Sequence, residues 1–232
     1  MDFNLTDIQQ DFLKLAHDFG EKKLAPTITE RDHKGIYDKD LIDELLSLGI
    51  TGAYFEEKYG GSGDDGGDVL SYILAVEELA KYDAGVAITL SATVSLCANP
   101  IWQFGTEAQK EKFLVPLVEG TKLGAFGLTE PNAGTDASGQ QTVAVKNDDG
   151  TYTLNGSKIF ITNGGAADIY IIFAMTDKSK GNHGITAFIL EDGMPGFTFG
   201  KKEDKMGIHT SCLLYTSDAD HGTRIPGRQS SG

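Results

Sequence analysis

Apolar positions in the first half of the chain recur at helical spacing. Ile8, Phe12, Leu15 and Phe19 follow one another at steps of four, three and four, which places them on one face of a helix ending before Pro26. Thr6 with Gln9 three residues on is a capping-box pattern at its start. Leu41, Leu45 and Leu48 repeat the face between Asp40 and Leu48, with Gly49 as the expected C-cap. Val69 to Tyr82 and Gly85 to Ala98 predict two more helices, the second nearly uncharged and so buried all round. Thr106 and Gln109 cap a fifth, running to about Val118. Short connections between successive helices argue a bundle.

From Leu123 the period changes to two. Strands are expected at 123–128, 141–146, 151–154, 157–162, 168–175 and 184–190. Asp149-Gly150 and Asn155-Gly156 stand between alternating segments and predict two hairpins. Segregated helices and strands argue against a βαβ fold and for two domains, divided near Gly120. After Tyr215 only Ala219 and Ile225 are apolar, so the final segment is not expected to continue a barrel. CLLYTSDA, from Cys212, resembles the translation of a transposon end used in sequencing libraries. The reading preferred over a disordered native tail is that 212–232 is non-native.

Charge narrows the function classes. The 232 residues carry 34 acidic and 20 basic side chains, a net charge of −14, with no basic stripe to meet phosphates. A nucleic-acid partner is therefore not expected. The five histidines are scattered without ligand spacing, and no metal site is expected. Cys97 and Cys212 form no CxxC and no disulfide framework, which suits a reducing compartment. No run of 18 apolar residues occurs, and MDFNLTDIQQ has neither a basic nor an apolar leader region. A cytoplasmic protein without a membrane span is the expectation.

Gly61, Gly63 and Gly66 satisfy GxGxxG, but no strand precedes them, and Asp64, Asp65 and Asp68 would repel a pyrophosphate. A flexible surface loop capping the helix from Val69 fits better. The informative stretch is GLTEPNAGTDASG, 127–139. It reads as a strand end at Phe126 to Leu128 entering a turn with Pro131, Asn132 and Gly134, followed by Thr135 and Asp136. Successive amides in such a turn can form an anion-binding concavity, with Thr129 and Thr135 adding hydroxyl donors. An ordinary β-turn satisfied by its own Thr and Asp side chains fits equally well. In KIFITNGG, 158–165, an aromatic (Phe160) and a hydroxyl (Thr162) share a strand face, where they could flank a planar cofactor; Phe160 could equally be core.

GLTEPNAGTDASG resembles, position for position, the signature of the acyl-CoA dehydrogenase family. KIFITNG resembles the second flavin-contacting strand of that family, and YFEEKYGGSG (54–63) its N-terminal loop. The resemblance runs through residues 1–211 and is nearest to bacterial short-chain members acting on butyryl-CoA. It implies an α+β multidomain fold: an all-helical N-terminal domain (1–120), an incomplete middle β-barrel (121–211) and an absent C-terminal helical domain. It implies FAD as cofactor. Phe126, Leu128 and Thr129 would line the flavin, with Thr129 at its pyrimidine edge and Gly134 in the same motif. Thr135 would meet the FAD pyrophosphate and the pantetheine arm of the substrate. Phe160, Ile161 and Thr162 would lie against the other side, with the Thr162 hydroxyl near N5.

By the same resemblance the reaction is α,β-dehydrogenation of a short-chain acyl-CoA, of the butyryl-CoA to crotonyl-CoA type. An electron-transfer flavoprotein would be the acceptor and the full-length enzyme a homotetramer. The catalytic glutamate belongs to the absent domain, so no residue here inherits that role, Glu130 included. This chain alone is expected to hold FAD weakly and to turn nothing over. Ile88, Ser91 and Ser95 share a helix face and are read as packing residues. An acyl-CoA oxidase or flavin oxygenase on the same fold, and a non-enzymatic acyl-CoA-binding module, are the competing readings.

Overall fold

The computed structural model describes residues 4–218 and 223–225, and these divide into two compact units. The first comprises residues up to Leu123 together with Asp204–Cys212; the second comprises Gly124–Glu203 and the residues from Leu213. Residues 204–212 pack with the helices, so the β unit is built from two stretches of chain.

In the first unit, α1 (Asp7–Phe19) opens with the expected capping box. Gln9 N–H donates to Thr6 Oγ1 at 3.2 Å, and Thr6 N–H to Gln9 Oε1 at 3.0 Å. The helix continues as a wider π-turn over Gly20–Leu24. α2 (Ile28–Lys34), which no periodicity announces, ends at Gly35 in the left-handed region, and α3 (Lys39–Leu46) is capped by Asp38. α4 (Val69–Tyr82) packs against α1, and the Tyr82 ring lies so close to Gly20 that any Cβ there would sit 2.2 Å from it.

α5 (Ala84–Ser91), a π stretch over Ala92–Ala98 and α6 (Asn99–Phe104) form one 21-residue helix rather than one ending at Ala98. Pro100, which lacks an N–H, stands two residues past the end of the π stretch. There Asn99 N–H reaches back to Val94 O. By length and composition alone this helix is long and apolar enough to cross a bilayer. Still, 61% of its most apolar 18-residue window is buried, as in the core helix of a globular unit. α7 (Glu107–Gln109), a π-turn at Lys110–Leu114 and α8 (Val115–Val118) complete the helical run. Leu45, Phe55, Leu79, Leu90, Leu114 and Leu117 are fully buried between these elements.

The glycine loop at 61–67 is not a loose cap. Ser62 N–H donates to Gly52 O and Gly63 N–H to Phe55 O, and a Cβ on Gly61 would lie 2.1 Å from Phe55 O. These glycines allow two backbones to touch, and Asp68 then caps α4 through Ser71 N–H at 2.7 Å.

A buried polar cluster holds 204–212 to the helices. Asp83 caps α5 through the amides of Gly85 and Val86, accepts from Thr210 Oγ1 at 2.7 Å and pairs with Arg31 at 2.7 Å. Asp32 accepts from His209 N–H at 2.8 Å, and this contact holds its carboxyl below the usual range.

In the second unit, β1 (Gly124–Gly127) pairs in parallel with β5 (Ile169–Met175), which pairs antiparallel with β6 (Ile185–Glu191). β2 (Val143–Lys146) meets β5 at Val143↔Met175 and pairs antiparallel with β3 (Tyr152–Asn155). β4 is only Ile161–Thr162, shorter than the 157–162 expected. β7 (Phe197–Lys202) was not anticipated. β8 (Leu213–Asp218) lies between β4 and β7, and β9 (Thr223–Ile225) pairs with β3.

Two expectations are corrected here. Residues after 211 do continue the sheets: Leu213 and Leu214 supply apolar side chains, and backbone pairing supplies the rest. Residues 219–222 and 226–232 of that expected tail lie outside the described residues. The Asp149-Gly150 hairpin forms, joining β2 to β3. Asn155-Gly156 makes no hairpin, since β4 pairs with β8 rather than β3. Gly156 instead lets the backbone pass Thr142, whose Oγ1 would lie 2.3 Å from an added Cβ.

Asp83→Ala should destabilise the chain by about 3–5 kcal/mol, because it strands a buried guanidinium as well as removing a cap. Urea unfolding followed by circular dichroism measures this; a loss under 1 kcal/mol would refute the role given to Asp83.

Candidate flavin site

The stretch 126–129, from β1 onward, and the segment 158–163 carry six of the eight expected site residues, and the structure brings the two stretches side by side. Ile159 N–H donates to Thr129 O at 2.8 Å, and a Cβ on Gly127 would lie 3.3 Å from Ile161 Cδ1. Phe126 is half-buried with its ring 5.2 Å from that of Phe173. Leu128, Thr129 and Thr162 are half-buried, and Phe160 is 53% exposed. Ile161 faces the other way and is fully buried beside Gly127, so only its backbone is available to a ligand.

Strand alternation, from which a shared face of Phe160 and Thr162 was expected, does not extend to Phe160. Phe160 has φ 57° and Asn163 φ 65°, so β4 is a two-residue strand between two left-handed residues. Such φ values are strained for a bulky side chain and concentrate at functional sites. Asn163 is buried, and its Nδ2 donates to Gly124 O at 2.9 Å, tying the far end of the segment to the start of β1.

The near end is tied by a residue that sequence reading passed over. Lys158 is 2% exposed, and its Nζ donates to Leu128 O (3.0 Å), Glu130 Oε1 (2.7 Å) and Gln140 Oε1 (3.1 Å). Three acceptors match the three protons of an ammonium. Glu130 also accepts from the amides of Gln141 (2.5 Å) and Thr142 (3.0 Å). Burial pushes the Glu130 carboxyl up, and the bonds from Lys158, Thr142 and Gln141 outweigh it, leaving it below the usual range. Burial draws the Lys158 ammonium down, against the pull of Glu130. Lysine and glutamate in the two motifs were the available signal, but nothing in their spacing of 28 positions reveals the pairing.

The turn after β1 differs from a cradle of free amides. Glu130 N–H and Ala133 N–H donate to each other's carbonyls at 3.1 Å, so neither can meet an anion. Gly134 and Thr135 are exposed, and no atom lies within 4 Å of a Cβ built on Gly134. Among the described residues the hydroxyls of Thr129, Thr135 and Thr162 make no intramolecular hydrogen bond. A flavin requires an apolar wall and hydrogen-bonding groups at its polar edge. An exposed aromatic at 160 and unpartnered hydroxyls on the same two stretches, at 129 and 162, are residue types that fit that requirement.

A helical unit is followed by a β unit whose exposed aromatic is compatible with a flavin, and comparison with known proteins gives the family. The acyl-CoA dehydrogenase N-terminal domain matches residues 6–121 and the acyl-CoA dehydrogenase middle domain matches 125–218. The chain belongs to the acyl-CoA dehydrogenase family. It is 97% identical over 211 residues to a short-chain-specific acyl-CoA dehydrogenase of Megasphaera elsdenii, covering 91% of this chain and 55% of that protein. The solved butyryl-CoA dehydrogenase of Megasphaera elsdenii superposes with a TM-score of 0.96 at 87% identity, over all of this chain and 61% of that one. A chain in the structure described as electron transferring flavoprotein of Acidaminococcus fermentans gives a TM-score of 0.93 at 60% identity, over 98% and 60% of the two chains. This chain thus spans little more than half the length of the relatives it matches.

Comparing Phe160→Gly with Phe160→Ala isolates the backbone strain at this position. The glycine variant should be more stable by about 1 kcal/mol, since only alanine retains the left-handed penalty. Denaturant midpoints at constant slope measure this; equal midpoints would show that the residue is unstrained.

Proposed function

We propose that this chain supplies the flavin wall and part of the acyl-CoA site of an FAD-dependent dehydrogenase acting on short-chain acyl-CoA thioesters. The observation that carries the reading is the backbone bond from Ile159 N–H to Thr129 O, which joins the stretch bearing the Thr129 hydroxyl to the one bearing the exposed Phe160 and the Thr162 hydroxyl, both hydroxyls unpartnered among the described residues. Bound FAD would supply the two-electron acceptor, a chemistry no side chain here offers. Phe126, Leu128 and Phe160 would form the apolar wall. The Thr129 and Thr162 hydroxyls would donate to the polar edge, where fixed donors are most effective because they need no reorganisation as charge develops. Thr135 and the open backbone at Gly134 would face the FAD pyrophosphate and the pantetheine arm.

No residue of this chain is assigned as the base. Glu130 is unsuited to it: one carboxylate oxygen is engaged by Lys158 and Thr142 and the other by Gln141. Within this reading the base lies in sequence beyond the family match, the whole enzyme is a cytoplasmic homotetramer, and electrons leave through an electron-transfer flavoprotein. The domain limits 1–120, 121–211 and 212–232 are part of the same reading. Identity of 97% over 211 residues against 87% over the whole chain, in the two Megasphaera elsdenii matches, supports placing the mismatch in the last segment.

Titration of FAD with the purified chain, followed by flavin fluorescence, tests the cofactor assignment. Thr129→Ala and Thr162→Ala should each weaken binding by about tenfold, the loss of roughly one net hydrogen bond of 1–1.5 kcal/mol. No uptake by the unmodified chain would reject the cofactor assignment. For the activity, a longer protein containing this chain should show anaerobic bleaching of its main visible flavin band on addition of butyryl-CoA. A band that keeps its full intensity would reject the substrate assignment, and oxygen consumption during turnover would identify an oxidase.

A further inference from the structure

We propose that Glu130 and Lys158 are a positioning pair that holds the end of β1 against Phe160–Thr162 and thereby sets the spacing of the Thr129 and Thr162 hydroxyls. The use of that spacing rests on the flavin reading above; the clamp itself does not.

The two segments take their ladders from different sheets. β1 is paired by β5, and β4 by β8. Their mutual placement therefore depends on what joins them directly, and the near end is joined through Lys158. Its stem lies beside Gly127, where an added Cβ would be 3.5 Å from Lys158 Cβ, and its ammonium binds Leu128 O at the end of β1. Glu130 extends the clamp to a third segment, through the amides of Gln141 and Thr142 immediately before β2. Gln140 closes it, accepting from Lys158 while its own Nε2 donates to Ala137 O at 3.3 Å. A lysine bound by three acceptors at 2.7–3.1 Å has one geometry available. An apolar side chain in the same space would fill it without fixing any of the three segments.

Amide hydrogen exchange on the full 232-residue chain without cofactor tests the clamp, with FAD titration as a second arm. Lys158→Met should speed exchange at Gln141, Thr142 and Ile159 by at least tenfold while leaving Tyr170–Ile172 of β5 within twofold. It should also weaken FAD binding at least tenfold and change the shape of the visible flavin band at saturation. Unchanged exchange at the three amides, or equal acceleration in β5, would overturn the proposal in favour of a general stabilising role. Should Lys158→Met fail to fold, Glu130→Gln, which keeps shape and loses charge, is read by the same criteria, and failure of both to fold also overturns it. If the unmodified chain takes up no FAD, the flavin reading fails while the exchange pattern still decides the clamp.

Discussion

The ion pair between Glu130 and Lys158 is the contact on which the β unit's candidate site depends. Removing a carboxylate and an ammonium from water costs several kcal/mol each, and mutual attraction offsets this only when the remaining protons and lone pairs are also satisfied. Here they are: the ammonium meets three acceptors, and the carboxylate receives two backbone amides besides. Such a pair adds little net stability over an apolar replacement, yet removing one partner costs about 3–5 kcal/mol. A sequence that keeps it gains geometric definition more than stability. That definition falls where three loop-like segments meet without a shared ladder.

Much of the helical unit was legible because its signals are local. Thr6 and Gln9 are three residues apart, and the capping box needs nothing else to form. The limits of α4 follow from Asp68 before Val69 and Asp83 after Tyr82. Where the reading failed, the deciding contact lay far along the chain. Asn155-Gly156 has the composition of a hairpin turn, but Gly156 serves a close approach to Thr142. Residues 213–218 look too polar for a barrel, yet a strand between two others is held by its backbone, which composition does not report. The segment 204–212 joins the helical unit through Asp32 and Asp83, more than a hundred positions away.

Around the candidate site, the motifs were legible and the frame that joins them was not. Phe160, Thr129 and Thr162 stand in motifs whose family resemblance is specific, and a backbone bond from Ile159 to Thr129 joins the two stretches. Period two, however, does not hold across Phe160 and Thr162, since Phe160 is left-handed and outside the strand. The resemblance also implied Ile161 among the flavin-facing residues, although its side chain is fully buried. Lys158 was invisible as a structural residue because an isolated lysine in a strand-like run reads as solvent-exposed.

Strain and clamp are two sides of one arrangement. Left-handed backbone at Phe160 and Asn163 costs roughly 1–2 kcal/mol each, less than the 3–5 kcal/mol by which breaking a buried pair would destabilise the fold. The magnitudes therefore allow the buried contacts to hold the strained segment rather than the reverse. Asn163 meets the start of β1 at Gly124 O, and Lys158 meets its end at Leu128 O, so the strand between them is fixed from both sides. The segment cannot relax toward an ordinary extended strand without breaking one of those contacts. The aromatic ring left 53% exposed on a segment so constrained is the surface that the proposed flavin would cover.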